Sequence, residues 1–296
     1  APGLRVVWGA GDESADLRVE DGFLRSVGLG LRHVPPLSLA IAPGAPYFDA
    51  TRRNAFEETV AAAPFDERLA ARAAAFRART LALGLTKYNL PDGPAPPETG
   101  GRLRLLAPGQ VAADASIRLG ARPPVRTDLA LLEAARARFP DAFILYKPHP
   151  DVVTGLRSGA AAGRDAARFA DRIETRASAA QCLDWADRVA TITSLMGFEA
   201  LLRGKAVTVF GRPFYAGWGL TDDVDPPARD RRLSLDELTA AALLLHVRYV
   251  DPRSGLPAPP EIALDALAEE RAAADRPMRR LRRAWRNGVS WALNRL

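Results

Sequence analysis

The 296-residue sequence contains one cysteine, Cys182, and three histidines, His33, His149 and His246, that lie far apart. A single cysteine excludes an intramolecular disulfide framework, and so few scattered cysteines and histidines argue against a zinc site. There is no apolar run of the about 18 residues that a membrane-spanning helix requires. Residues 1–10 also lack the pattern of a signal peptide. We therefore expect a cytoplasmic protein.

Glycine-rich phosphate-binding motifs are missing too. Neither G-x-G-x-x-G nor G-x-x-x-x-G-K-[ST] occurs, which argues against a dinucleotide site and a P-loop. What the chain does have is 48% hydrophobic residues, enough for a packed core, and a formal net charge of +6. A basic protein favours anionic partners.

Two regions of different pattern are separated by residues 90–101, LPDGPAPPETGG, which are predicted to be a linker. After the linker, strand-like and helix-like segments alternate, as in parallel sheets with crossover helices. The sequence therefore predicts an α/β fold of two lobes, with an N-terminal lobe, a C-terminal lobe and a final helical segment. These comprise residues 1–95, 96–250 and 251–296.

Three polar segments each follow a predicted strand. GQVAADAS (109–116) comes after strand 103–107, KPHPD (147–151) after strand 142–147, and SLMGFE (194–199) after strand 188–193. The carboxyl ends of parallel strands meet at one edge of a sheet, and ligands bind there. We therefore expect Asp114, His149 and Ser194 to line one site.

The residue types in these segments suit an anionic ligand. Lys147 and His149 lie on a loop that two prolines stiffen, and Ser194 is placed to cap a helix whose N-terminal N–H groups attract anions. Gly197 permits close backbone approach, and Glu199 can accept hydrogen bonds from a ribose diol. An ordinary surface loop and an ordinary capped helix are the structural alternatives.

Asp114 is a carboxylate among small residues, which leaves room for a bulky substrate. A nearby cation, Lys147 or Arg118, would keep it ionised, as a nucleophile or base requires. A helix N-cap at Asp114 or Ser116 is the structural alternative.

Seven motifs, in order between residues 5 and 260, resemble the capsule polysaccharide biosynthesis family of bacterial β-Kdo transferases, the KpsC-like proteins. That family carries two related transferase modules in tandem, and the motifs here are more similar to those of the second module. The motifs are EDGFLRSVGLG (20–30), PPLSLAIAPGAPYFDAT (35–51), LTKYN (85–89), APGQVAADASIRLG (107–120), YKPHPDVVTGLRSG (146–159), TSLMGFEALLRGKAVTVFGRPFYAGWGLTDD (193–223) and RYVDPRSG (248–255).

The resemblance implies a GT-B-like fold, two Rossmann-like lobes with a cleft between them. In such a fold the N-terminal lobe lies on the acceptor side, the C-terminal lobe binds the donor, and the final helical segment crosses back. It also implies CMP-β-Kdo as the donor substrate, no metal and no other cofactor. The expected reaction is transfer of Kdo to a Kdo-terminated, lipid-linked acceptor in the synthesis of the poly-Kdo linker of the capsule, with a β-(2→7) linkage. A second transferase module is an expected partner.

The resemblance also implies roles for the donor-side residues. Asp114 matches the family's catalytic aspartate, which is proposed to form a covalent Kdo adduct in a retaining double displacement. His149 is expected to stabilise or protonate the departing phosphate. The remaining donor-binding residues implied are Lys147, Ser194, Gly197 and Glu199.

On the substrate side, Gln110 and Ser116 are expected to flank the Kdo ring, and Arg25 to pair with a Kdo carboxylate. Glu20 and Asp21 are expected either to supply a base for the acceptor hydroxyl or to form a salt-bridged loop. Two alternatives stay open: a transferase of the same fold for another activated sugar, and a catalytically silent scaffold module. The second arises because residues 9–18 are shorter than the corresponding segment of the family.

Residues 276–296 interleave arginines with leucine, valine and tryptophan. As a helix, this tail would be basic and amphipathic, and we expect it to bind an anionic membrane surface at the inner membrane. A terminal helix that packs across the two lobes is the alternative. Because the arginines concentrate in one tail without a recognition motif, no nucleic-acid partner is expected.

Overall fold

The strands and helices of the chain form two β-sheets with helices packed around them. The computed structural model describes residues 3–11, 14–28, 34–153 and 163–274, so the predicted membrane-binding tail lies outside the described residues. The strands are β1 (Val6–Trp8), β2 (Leu17–Asp21), β3 (Ser38–Ala42), β4 (Arg104–Pro108), β5 (Phe143–Lys147), β6 (Arg172–Ile173), β7 (Arg188–Thr191), β8 (Ala206–Val209), β9 (Asp222–Asp223), β10 (Val247–Val250) and β11 (Pro257–Ala258).

The helices are mostly short, and several begin at a residue that the sequence favours as an N-cap. Asp66, Thr127 and Ser234 each accept a hydrogen bond from the first turn that follows. The helices are α1 (Ala55–Ala62), α2 (Glu67–Ala82), α3 (Ala115–Gly120), α4 (Asp128–Arg138), α5 (Pro150–Val153), α6 (Gly163–Ala166), α7 (Ala179–Trp185), α8 (Leu195–Leu202), α9 (Leu235–Thr239), which continues as a π-helix (Ala240–His246), and α10 (Pro260–Ala274). Among the described residues, none of these helices is long and apolar enough to cross a bilayer.

The second sheet is entirely parallel, with the strand order β6-β5-β4-β7-β8-β9. The predicted alternation of strands and helices after residue 102 is therefore confirmed. The middle residues of its central strands β4, β5 and β7 are apolar and buried, which is why these strands show no polar alternation in the sequence. The strand order reverses between β4 and β7, and ligands bind at such switch points in doubly wound folds.

The first sheet is mixed, with the order β1-β2-β3-β10-β11. Only β1 and β2 are parallel, and the other neighbours pair antiparallel. The expectation of a Rossmann-like first lobe is therefore wrong. Antiparallel neighbours need no crossover helix, and residues 22–28 and 34–37, the described part of the connection between β2 and β3, contain none.

The end of the chain returns to the first sheet. Strand β10 pairs with β3, although the expected division assigned residues 96–250 to the second lobe. β10 reaches the first sheet because the π-helix that precedes it packs against α1 and α2, which belong to the first region. Helix α10 then lies beside α2, and Arg72 of α2 forms an ion pair with Glu261 of α10 at 3.0 Å.

The segment between the two sheets is held against α7 at two positions. No helix or strand occurs between α2 and β4, as predicted for a linker. The Gly93 N–H donates to Gln181 Oε1 at 2.9 Å, and Gln181 Nε2 donates back to the Gly93 carbonyl at 2.8 Å. Trp185 Nε1 donates to the Pro97 carbonyl at 2.8 Å. These bonds hold the linker against α7.

One aromatic cluster connects the two regions. The ring of Phe23, which follows β2, stacks on Phe214 with centroids 4.7 Å apart, and Phe198 of α8 packs on both. All three side chains are buried. The two sheets therefore share a hydrophobic core that sets the position of one relative to the other.

Candidate active site

A cavity of about 530 Å³ lies between the two regions at the carboxyl edge of the second sheet. Asp114 reaches it from the loop after β4, His149 from the loop after β5 and Ser194 from the loop after β7. The predicted meeting of three loops that are distant in sequence is thus what the structure shows. Residues of the first region, Glu20 and Lys87 among them, form the facing wall.

Asp114 is half-buried at the N-cap of α3, in extended conformation with φ −66° and ψ 143°. Its side chain makes no capping hydrogen bond to the helix, although the backbone occupies the cap position. The N-cap alternative is therefore correct for the backbone position of Asp114. It does not explain why that position has a carboxylate, because the side chain makes no capping bond. Ser116, one residue into the helix, lines the same cavity.

The loop after β5 positions a cation and an imidazole. Lys147 Nζ donates to the Ala177 carbonyl at 2.5 Å, so one of its donors holds a neighbouring loop while the side chain lines the cavity. The Asp151 N–H donates to His149 Nδ1 at 3.2 Å. Since Nδ1 accepts this bond, the neutral ring of His149 carries its proton on Nε2.

The start of α8 is the third element of the wall. Ser194 Oγ accepts from the Met196 N–H at 3.3 Å, as expected of an N-cap. Further along, Glu199 Oε1 accepts from the Lys87 N–H at 2.8 Å, so this carboxylate joins the two regions across the cavity. Burial raises the pKa of Glu199, although Arg203 and Lys87 oppose the shift.

Gly197 does not have the position predicted for it. It is absent from the cavity lining, and a Cβ atom built on it would lie 2.2 Å from the hydroxyl oxygen of Tyr215. That hydroxyl donates to the Ser194 carbonyl at 2.5 Å. The small residue therefore admits the Tyr215 ring, and the prediction that it allows close approach of the donor is wrong.

Arg25 and Asp21 are also away from the cavity lining. Arg25 is 5% exposed and pairs with Asp21 at 2.6 Å, while its Nη1 donates to the Val34 carbonyl at 2.7 Å and to Ser26 Oγ at 2.9 Å. The predicted contact of Arg25 with a substrate carboxylate is wrong, because Arg25 is already paired with the carboxylate of Asp21 in the same chain. For Asp21, the alternative of a salt-bridged loop is correct.

Glu20 and Lys87 give the facing wall its charge. Burial raises the pKa of Glu20 to about 7, with further increases from Asp21 and Asp114, while Lys87 opposes the shift. Burial alone would lower the pKa of Lys87, but Tyr88, Tyr47, Asp21 and Glu20 together raise it above its usual value. A cation and a carboxylate with a pKa near neutrality therefore face Asp114.

A fourth loop lines the cavity, and the sequence reasoning missed it. It follows β6 and contains Arg176, which is exposed at the cavity. Glu174 Oε1 accepts from the N–H groups of Arg176 and Ala177 at 2.7 and 2.9 Å, which fixes the loop. A strand of two residues has no readable periodicity. Lys87 was also missed as a site residue, although it lies in the LTKYN motif.

Gln110 lines the cavity close to Asp114 in sequence, but its amide is bonded to the protein. Its Nε2 donates to Thr193 Oγ1 at 2.8 Å, and its Oε1 accepts from the Thr193 N–H at 2.9 Å. Thr193 immediately precedes Ser194, so these bonds tie the loop after β4 to the loop after β7.

Two solved structures are similar to this chain over most of its length. The structure of Thermosulfurimonas dismutans KpsC, beta Kdo 2,7 transferase, has a TM-score of 0.74 and 37% identity, covering 90% of this chain and 84% of that one. The structure of Thermosulfurimonas dismutans KpsC, beta Kdo 2,4 transferase, has a TM-score of 0.78 and 34% identity, with coverages of 89% and 86%. The fold is an α/β glycosyltransferase-like fold.

Sequence comparisons give the family. The model of a family described as capsule polysaccharide biosynthesis protein matches residues 98–250. The capsule polysaccharide modification protein LipA of Neisseria meningitidis serogroup A is 43% identical over 260 residues, and the lipopolysaccharide-processing protein LpsZ of Rhizobium meliloti is 44% identical over 261 residues. These matches include 84% and 86% of this chain but 37% of LipA and 59% of LpsZ. The chain belongs to the KpsC-like family of capsule polysaccharide biosynthesis proteins, as its motifs predicted.

Proposed function

We propose that this chain is a retaining β-Kdo glycosyltransferase that transfers Kdo from CMP-β-Kdo to a Kdo-terminated, lipid-linked acceptor. The observation that carries the proposal is the meeting of Asp114, His149 and the start of α8 in one cavity, opposite Glu20 and Lys87. Family membership and the likeness to two Kdo transferases support the choice of sugar. The two sheets then serve as the donor and acceptor lobes of a GT-B-like arrangement.

In the first step, the Asp114 carboxylate attacks C2 of the Kdo unit and forms a bond to it. The bond from C2 to the phosphate oxygen of CMP breaks, and its electron pair leaves with the phosphate. His149 Nε2–H donates to that phosphate and stabilises or protonates it. Lys147 and the N–H groups at Ser194 add positive potential, so the proposal requires no metal.

In the second step, a hydroxyl of the terminal acceptor Kdo attacks C2 and displaces Asp114. Its proton passes to Glu20, whose pKa of about 7 suits a general base at neutral pH. Two displacements at C2 restore the original configuration, so the β-linkage is retained. We assign the 2→7 position because the motifs are more similar to those of the family's second module, with which the resemblance associates that linkage.

The cellular setting is part of the same proposal. A lipid-linked acceptor requires the enzyme to work at a membrane surface, and the basic residues 276–296 suit the anionic inner leaflet. The relatives LipA and LpsZ are longer than the region they share with this chain. We therefore propose a second transferase module as a working partner.

The test combines intact-mass analysis with a transfer assay. Incubation with CMP-β-Kdo alone is expected to add the mass of one Kdo unit to the protein, and Asp114→Asn is expected to abolish that addition. The same substitution is expected to lower transfer to a Kdo-terminated acceptor by about 10³-fold or more. Added CMP should compete, whereas UDP and GDP should not.

Asp66→Asn is the matched control, since Asp66 is an exposed N-cap of α2 outside the cavity lining. An asparagine also caps well, so this variant is expected to retain full transfer. Full transfer by Asp114→Asn would refute the role of Asp114, and competition by UDP or GDP alone would refute the choice of donor.

A further inference from the structure

The amide of Gln110 is held by Thr193 at both of its ends. Nε2 donates to the threonine hydroxyl at 2.8 Å, and Oε1 accepts from the threonine N–H at 2.9 Å. The two residues are 7% and 9% exposed, so water competes little for these bonds. A rotation of the amide toward a ligand in the cavity would break both bonds at once.

These bonds lie at the point where the strand order of the second sheet reverses. Gln110 follows β4 and Thr193 follows β7, and the two strands are neighbours. Asp114 lies four residues beyond Gln110, and Ser194 is the residue after Thr193. The bonded pair therefore sets the distance between the carboxylate and the helix start, on which the proposed first step depends.

The backbone of Gln110 is anchored as firmly as its side chain. Asp128 Oδ1 accepts from the Gln110 N–H at 2.9 Å, and Asp128 Oδ2 accepts from the hydroxyl of Tyr146 at 2.7 Å. Gly109 fits against this pair, because a Cβ atom on it would lie 2.8 Å from Asp128 Oδ2 and 2.9 Å from the Tyr146 hydroxyl. Side chains of α4 and β5 thus fix one end of the connection.

We propose that Gln110 is a positioning residue that acts through Thr193 and not by contact with the sugar. This proposal rests on the proposed transferase activity. Within that activity, it assigns Gln110 as the residue that fixes the position of the loop after β4 relative to the loop after β7. Misplacement of reacting groups by about 1 Å costs about 10²-fold in rate, so loss of the clamp lowers kcat more than it weakens donor binding.

The test compares isosteric variants of both partners. Gln110→Met removes both bonds, Thr193→Val removes the hydroxyl, and Thr193→Ser retains the clamp. With CMP-β-Kdo and a Kdo-terminated acceptor, Gln110→Met is expected to lower kcat about 10- to 100-fold with donor KM within about 3-fold. Thr193→Val is expected to lower kcat about 10-fold, and Thr193→Ser about 2-fold or less. The double variant should be no slower than Gln110→Met, since partners in contact are not additive.

Asn54→Leu is the control for lost stability. Asn54 is 2% exposed, and its amide likewise bonds the backbone on both sides, to the Asp49 carbonyl and the Phe56 N–H. It is outside the cavity lining, so kcat is expected to stay unchanged even where the melting temperature falls. An equal fall in kcat for Asn54→Leu would overturn the assignment, as would wild-type kcat for Thr193→Val beside a large loss for Gln110→Met.

Hydrogen exchange separates this inference from the proposed function. Gln110→Met is expected to speed exchange of the Thr193 N–H at least 10-fold, while Thr193→Ser leaves it unchanged. Unchanged exchange in Gln110→Met overturns the clamp, whatever the enzyme catalyses. If the wild type transfers no Kdo but the exchange result holds, the clamp stands and the proposed function fails.

Discussion

The carboxylate of Glu20 and the ammonium group of Lys87 line the same wall of the cavity, and each affects the ionisation of the other. Lys87 limits the rise in the pKa of Glu20, and Glu20 adds to the rise in the pKa of Lys87. The pair leaves a carboxyl group that exchanges its proton near neutrality. This is the condition for a general base that must first accept and then release a proton.

The pH dependence of transfer is expected to follow Glu20. A base acts in its ionised form, so the rate should rise as the pH increases through about 7, the pKa of Glu20. Glu20→Gln is expected to lower kcat by about 10²- to 10⁴-fold and to remove this acidic limb. The measurement is the pH profile of kcat, with the exposed Glu98→Gln as the control. A profile of Glu20→Gln that keeps the limb near pH 7 would contradict the role.

Removal of Lys87 should shift the same profile. The positive charge of Lys87 lowers the pKa of Glu20, so Lys87→Met is expected to move the acidic limb to higher pH. The Lys87 N–H that binds Glu199 belongs to the backbone and is retained in the variant. The pH profile of kcat is the readout, and an unshifted limb would show that the two groups are not coupled.

Gly197→Ala is expected to destabilise the protein by about 1–3 kcal/mol. The added methyl group would overlap the Tyr215 ring, which is fully buried and cannot move away without breaking its bond to Ser194. Denaturant unfolding measures the change. Gly44→Ala is the matched control, because nothing lies within 4 Å of a Cβ atom there. Equal unfolding curves for the two variants would show that the overlap has no cost.

His246 makes the protein less stable in acid. Burial among aromatic rings lowers its pKa to about 4, and Arg248 adds to the shift. In the unfolded chain its pKa is about 6.5, so between pH 6.5 and 4 the unfolded state binds the proton that the folded state excludes. His246 therefore contributes stability that is present above pH 6.5 and is lost as the pH falls toward 4. The total loss in the free energy of unfolding is about 3 kcal/mol.

The comparison of wild type with His246→Leu isolates that contribution. Glu20 acts in the opposite direction, because its raised pKa means that the folded state takes up a proton between pH 7 and 4.5. Free energies of unfolding are therefore measured for both proteins from pH 7 to pH 4, and the difference is taken at each pH. The free energy of unfolding of the wild type, relative to that of the variant, should decrease as the pH falls. A difference that stays constant from pH 7 to pH 4 would refute the prediction.

The second sheet and its rim could be predicted because their signals are local. Buried parallel strands have apolar runs of four to five residues, and the loops after them carry the polar residues, so Asp114, His149 and Ser194 could be brought together from the sequence. The capping box of Ser234 and Glu237 at the start of α9, and the φ of +61° at Gly84 just after α2, depend on equally local sequence.

The errors arose where long-range contacts decide the structure. The partner of β3 is β10, about 200 residues further along the chain, and the sequence near either strand contains no signal that predicts this pairing. Gly197 has the pattern of a ligand-binding glycine, but a tyrosine distant in sequence occupies the space beside it. The role of Arg25 was implied by the family resemblance, but Asp21 at the end of β2 supplies the carboxylate that Arg25 binds.

The return of β10 has a consequence for the order in which this molecule is completed. During synthesis the first sheet keeps an open edge at β3 until β10 (Val247–Val250) has left the ribosome. A fragment cut at residues 98–250 would carry β10 with no strand to receive it, and a fragment of residues 1–95 would expose the unpaired edge, which invites aggregation. The two sheets therefore depend on each other for a complete fold, and we expect neither fragment to fold natively when it is produced alone.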